Sequence, residues 1–161
     1  MCSYCGCRNI PLIRLLTRQH EDITNHTTAL REAARSNDRP AAAGAALVLA
    51  EQLNPHTHLE ERGLFAEMRK DDMFTEHIDS LCAEHEVLDS ELAVVAAGDL
   101  SRVEPLLTLR ANHIDREENG LFPAALTFLD NEQWDDLQET GTVDASAPTG
   151  SPHAHAPGAA G

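Results

Sequence analysis

The sequence predicts an all-α protein: an up-down-up-down four-helix bundle with a short C-terminal helix and a disordered tail. Three observations predict it. Four segments carry apolar residues at the 3.6-residue spacing of an amphipathic helix, with turn-forming breaks between them. The ten residues His56-Thr-His-Leu-Glu60-Glu61-Arg-Gly63-Leu64-Phe65 return 57 positions later as His113-Ile-Asp-Arg-Glu117-Glu118-Asn-Gly120-Leu121-Phe122, six of the ten being identical. A second pair, Leu16-Thr-Arg-Gln-His20-Glu21 and Leu81-Cys-Ala-Glu-His85-Glu86, completes two matched halves related by an approximate internal two-fold.

The first helix starts near Pro11, whose fixed φ suits a first turn, with Asn9 as a cap. Its inward stripe is Leu12, Leu16, Ile23, Thr27 and Leu30; His20 falls on that stripe and His26 on another, surface face. Asn37-Asp38-Arg39-Pro40 is a break, and Pro40 opens a second helix with Asp38 or a neighbour as its cap. Leu49, Leu53, His56, Glu60 and Leu64 or Gly63 share one line of it. Pro55 removes a backbone donor and crowds the preceding turn, so a kink or a division into two helical pieces is expected there.

The third helix, residues 74–97, has the cleanest period: Ile78, Leu81, Cys82, His85, Leu88, Leu92 and Val95, with Gly98 as its stop. Ser101-Arg-Val-Glu104 reads as a capping box, with Pro105 still in the first turn. The fourth helix then carries Leu106, Leu109, His113, Glu117 and Leu121 on one side. The segment 130–137 reads as a short fifth helix that packs Trp134 and Leu137 against one end.

These elements divide the chain into a Cys-rich arm (1–9), the bundle (10–140) and a tail (141–161). The tail is Ala, Pro, Gly, Ser and Thr with two His, and cannot bury enough apolar surface to offset its ordering entropy. His153 and His155 either capture stray metal ions or ride passively on it. Cys2, Cys5 and Cys7 form a C-x2-C-x-C cluster suited to a thiol-rich arm or to a soft-metal or redox role; a structural zinc site would need a fourth ligand, and none is near in sequence.

With 161 residues the chain forms one domain with a real core. Its net charge of −15 argues against nucleic-acid and anionic-membrane partners, which attract Lys and Arg. No stretch approaches the roughly 20 apolar residues of a membrane span, and the N-terminus lacks the apolar run of a signal peptide. A cytoplasmic protein is expected, in which four cysteines serve as thiols or metal-reactive groups rather than a disulfide framework.

His20, His56, Glu60, His85, His113 and Glu117 all lie on stripes that must face inward. One His on an apolar face is ordinarily a satisfied core residue, and one His-x-x-x-Glu a helix-surface hydrogen bond. Four such His with two Glu, in repeat, call for cations: an uncompensated carboxylate in an apolar core costs several kcal/mol or stays protonated. Imidazole plus carboxylate suits iron, manganese or zinc.

The order His, His-x-x-x-Glu, His, His-x-x-x-Glu, with Gly-Leu-Phe after each second Glu, resembles the hemerythrin-like, or HHE cation-binding, domain family over residues 10–130. The resemblance implies a bundle around a non-haem di-iron centre, two iron ions bridged by carboxylates and an oxo or hydroxo group. His20, His56, His85 and His113 would then be terminal ligands and Glu60 and Glu117 bridges. The oxygen-carrying members have a fifth His where this chain has Leu81; His77 is a further turn away, about 12 Å along the axis from His85. They also have a longer His-to-Asp spacing in place of His113-x-x-x-Glu117. Both departures make the site more symmetric and leave more positions open.

The resemblance therefore implies a protein that binds a small diatomic or peroxide ligand (O2, NO or H2O2) for storage, sensing or scavenging. The alternatives are a di-iron enzyme that decomposes peroxide, catalase-like, or reduces NO, and an iron or redox sensor using the Cys arm. Leu64, Phe65, Leu121 and Phe122 would wall the ligand pocket or simply fill the core. Glu21, Glu61, Glu86 and Glu118 adjoin the ligands but point about 100° away, as surface charges with room for one partner to an imidazole.

Overall fold

The computed structural model describes residues 10–146; Cys2, Cys5, Cys7, Asn9 and the tail beyond Ser146 lie outside the described residues. Those residues are helical almost throughout. Helix α1 (Pro11–Arg35) begins at Pro11, and Ile10 before it supplies no side-chain cap. Proline at the first position lacks one of the N–H groups that a cap would have to satisfy. Helix α2 (Arg39–Glu60) is capped by Asp38, whose carboxylate accepts a hydrogen bond from the Ala41 N–H at 3.0 Å.

The interruption expected at Pro55 falls elsewhere. α2 remains α-helical through Pro55, which lies on the exposed face, where water can serve the Glu51 carbonyl that the ring deprives of its donor. Helical geometry changes after Glu60 instead: Glu61–Phe65 is a π turn, followed by the single turn α3 (Ala66–Met68). The second half does the same. Helix α5 (Val103–Arg116) runs into a π turn at Glu117–Leu121 and then α6 (Phe122–Phe128). Between them, α4 (Asp72–Ala96) starts where the Asp71 carboxylate accepts the Met73 N–H at 2.9 Å. It ends before Gly98, whose φ of +104° an L side chain would resist.

The capping box is not formed. Asp99, two residues upstream of Ser101, takes the Ser101 N–H at 3.0 Å and its hydroxyl at 2.6 Å, and opens a 3-10 turn over Leu100–Arg102. Glu104 pairs with Arg31 of α1 at 3.2 Å. Helix α7 (Asn131–Ser146) is longer than the short helix expected and passes the point where the tail composition begins. No proline interrupts the sequence between Leu137 and Pro148.

Helices α1, α2, α4 and α5 form a helical bundle in which α1 packs on α2 and α5, and α4 on the same two. The apolar core is in two parts. One gathers Leu12, Leu16, Leu64, Phe65, Ile78, Leu81, Phe122, Trp134 and Leu137 at the end covered by α7. The other gathers Ile23, Leu30, Leu49, Leu53, Leu88, Leu92, Val95 and Leu106 at the opposite end. Leu107 is buried in this second part, whereas Leu109 and Cys82 are only half-buried. No described helix is long and apolar enough to cross a membrane.

Leu88 is 1 % exposed in the second cluster. Replacing it with Ala should cost about 2–5 kcal/mol, read as a shift of the urea midpoint; a loss below about 1 kcal/mol would contradict this packing.

Candidate metal centre

The band between the two apolar clusters is polar, and it holds all six residues that the repeat singles out. His20 comes from α1, His56 and Glu60 from α2, His85 from α4, His113 from α5, and Glu117 from the π turn that follows. None is more than 4 % exposed, and both carboxylates are at 0 %. Their ligand-type atoms converge in two groups, each within 4.8 Å: His20, His56, Glu60 and Glu117, and Glu60, His85, His113 and Glu117. The two Glu belong to both groups.

The oxygens are divided between the imidazole pairs. Glu60 Oε1 lies 3.6 Å from His20 Nε2 and 3.3 Å from His56 Nε2, while its Oε2 lies 3.5 Å from His85 Nε2. Glu117 Oε2 lies 3.1 Å from His20 Nε2, and its Oε1 lies 3.1 Å from His113 Nε2. Each carboxylate thus turns one oxygen to each pair.

Every outer ring nitrogen faces an oxygen. His20 Nδ1 is 3.0 Å from Glu118 Oε1, and His85 Nδ1 is 2.8 Å from Glu61 Oε1. His56 Nδ1 is 3.0 Å from Gln19 Oε1, and His113 Nδ1 is 2.8 Å from Glu84 Oε2, whose other oxygen is bound by Arg116. An acceptor at Nδ1 requires the proton there, which leaves Nε2 directed at the centre. His85 Nε2 and His113 Nε2 are hydrogen-bonded to each other at 2.9 Å, so one of these two rings carries a second proton and donates it to the other. Nδ1 partners of this kind fix ring orientation and raise basicity, as at metal-binding histidines.

The π turns make these contacts. In a continuous α-helix the fifth residue after a Glu would lie about 140° round the axis from it. The wider turn brings Phe65 and Phe122, each fifth after its Glu, onto the buried side at 0 % exposure. Phe65 stacks on His85 with centroids 5.7 Å apart and planes at 8°; Phe122 stacks on His20 at 5.9 Å and 1°. The halves exchange partners. Glu61 and Phe65 of the first half hold His85 of the second, and Glu118 and Phe122 of the second hold His20 of the first.

The site sets two buried carboxylates against four imidazoles, with its central oxygens left without hydrogen bonds. Neither oxygen of Glu60, neither oxygen of Glu117, nor His20 Nε2 makes a hydrogen bond, although all are fully buried. Burial would raise the Glu60 pKa, but the imidazoles of His56, His20 and His85 outweigh it and hold the carboxyl well below its ordinary range. Glu117 is likewise held down, against burial and the Glu60 charge, by His113 and His20. Burial opposes protonation of His20, yet Glu117, Glu118 and Glu60 raise its pKa to about 11. The same contest leaves His85 at about 9 and His113 raised. In His56 burial prevails and the pKa falls. Protons on imidazole compensate the carboxylates here, and a metal cation can replace them.

Several outcomes differ from the sequence reading. Glu61 and Glu118 both hold imidazoles, where at most one partner was expected among the four adjoining glutamates; Glu21 and Glu86 are exposed. Gln19 and Glu84 were missed. The signal available was their place immediately before the lone His of each half. Leu81 is fully buried in the apolar cluster beside the site, and His77 lies against Arg116 at 3.4 Å.

Because His20 and His85 hold protons at neutral pH, metal uptake at pH 7 should release protons, and affinity should rise with pH. Calorimetric titration in buffers of different ionisation enthalpy reads this directly. An apparent enthalpy independent of buffer would contradict the protonated metal-free site.

The hemerythrin HHE cation-binding domain model matches residues 12–125. That span contains the six converging residues and both π turns. No curated protein and no solved structure matches the chain. With most of its length matched and two His/Glu clusters that fit metal cations at its centre, the chain belongs to the hemerythrin HHE cation-binding family.

Proposed function

We propose that this chain is a non-haem di-iron protein, an up-down-up-down four-helix bundle that binds O2, NO or peroxide for storage, sensing or scavenging. The observation that carries the reading is the set of four buried carboxylate oxygens without a hydrogen bond, one from each Glu turned to each imidazole pair. Two cations sharing Glu60 and Glu117 would satisfy all four. His20 and His56 would complete the donors of one cation, and His85 and His113 those of the other. Nitrogen and oxygen donors of this kind suit iron, and two adjacent irons supply reversible two-electron chemistry with small oxidants.

The remaining residues bind, orient and exclude. Phe65 and Phe122 cover the imidazole faces, and Leu64 and Leu121 close the apolar side at 0 % and 1 % exposure. This shuts out bulk water and admits only small molecules. A cleft of about 280 Å³, lined by His20, Glu21, Thr24, Asn25, Ile114 and Glu118, reaches the outer edge of His20 from solvent. The Glu118–His20 bond stands at its floor.

A second reading, a peroxide-decomposing or NO-reducing enzyme, is favoured by Leu81. With Leu in place of a fifth imidazole, each pair of His has positions left for an exchangeable ligand, which turnover needs.

Metal analysis and an optical spectrum, before and after peroxide, test both readings. About two irons per chain with a new stable band supports the binder, while sustained oxygen release, or NO consumption with a reductant, supports the enzyme. One zinc, or no metal in a folded protein, overturns the di-iron reading. Glu117→Ala should leave the helical circular dichroism in place and reduce bound iron to about one per chain or fewer, because it removes an oxygen from both pairs.

A further inference from the structure

The matched halves differ in the charge of one outer-nitrogen partner. His85 and His113 each direct Nδ1 to a carboxylate, Glu61 and Glu84, at 2.8 Å. In the other pair His20 has a carboxylate, Glu118 at 3.0 Å, but His56 has the neutral amide oxygen of Gln19, also at 3.0 Å. Gln19 and Glu84 hold equivalent positions, each immediately before the lone His of its half.

We infer that Gln19 and Glu84 make the two metal positions unequal, so that the His85–His113 position binds its cation first and more tightly, and the His20–His56 position binds second and exchanges. The inference rests on the two-cation reading of the site. A charged acceptor makes a hydrogen bond about twice as strong as a neutral one and increases the electron density of the imidazole that it holds. Removing such a partner typically changes metal affinity about 10–100-fold.

Two features oppose the ordering and are smaller. Arg116 binds Glu84, but on Oε1, leaving Oε2 to His113 and fixing the carboxylate in place. Glu61 is 43 % exposed against 14 % for Glu118, which weakens its pull on His85. Both are adjustments to a carboxylate that is present, whereas at His56 no charge is present at all. The solvent cleft touches His20, a member of the weaker pair, so the exchangeable position is also the one nearest an entrance.

The test titrates metal-free full-length protein anaerobically with Fe(II) in a calorimeter, and with Co(II) followed by NMR of the imidazole N–H protons. Two steps about 10–100-fold apart are expected. At one equivalent of Co(II), the His85 and His113 protons should be paramagnetically shifted before those of His20 and His56. Gln19→Glu should tighten the weak step, and Glu84→Gln should weaken the tight one, each by about 10-fold or more. Gln19→Glu is nearly isosteric and half-buried, so it decides the matter even if Glu84→Gln, which also releases Arg116, fails to fold. Two equivalents bound with His20 and His56 loading first or together with the other pair, or a ratio that neither variant moves, would overturn the inference and leave the two-cation site standing. Fewer than two equivalents would overturn both.

Discussion

Glu60 and Glu117 are carboxylates at 0 % exposure between two apolar clusters, and most of the molecule's polar interior follows from them. An ion cannot be left there alone, because its lost hydration is worth several kcal/mol even after relaxation. Four imidazoles approach the carboxylates within 3.1–3.6 Å. Buried imidazoles in turn need acceptors for their outer nitrogens, which explains why Gln19, Glu61, Glu84 and Glu118 sit where they do. The chain of requirements runs from the centre to the surface and ends at Arg116, which ties Glu84 to Ser80 and His77.

The repeat acquires a structural meaning from the π turns. A His-x-x-x-Glu alone serves its own half, since both side chains project from one face of one helix. The Glu-x-Gly-Leu-Phe that the turns reshape serves the other half, placing a carboxylate and a ring on the opposite lone His. The two halves are therefore interlocked through these side chains, each lone His being held by the other half. Single π turns recur at functional sites because the extra residue re-aims side chains at modest backbone cost. A Cβ at Gly63 or Gly120 would meet nothing within 4 Å, so neither glycine is there to make room.

The fold was legible to the extent that it is written in local periodicity. The stripes through Leu12, Leu16, Ile23 and Leu30 place α1 and its buried face, and those through Ile78, Leu88 and Val95 place α4, without any tertiary information. Helix ends were less legible. The sequence offers Ser101 both Asp99 and Glu104, and the structure gives it Asp99 and turns Glu104 to Arg31. Pro55 is tolerated because its face is wet, a fact about burial rather than about sequence.

By itself, then, the sequence determined the helical class, the inward faces, and the six residues His20, His56, Glu60, His85, His113 and Glu117, because identity and 3.6-residue spacing suffice to put them on buried stripes. Only the tertiary structure decided which side chains support those six. Gln19 and Glu84 reach imidazoles 37 and 29 residues away, and Glu61 and Glu118 reach imidazoles 24 and 98 residues away. Such contacts depend on how helices face one another and on a change of helical pitch at two places. Neither leaves a mark in the periodicity of a single helix, since periodicity records the direction of burial and not the partner met there.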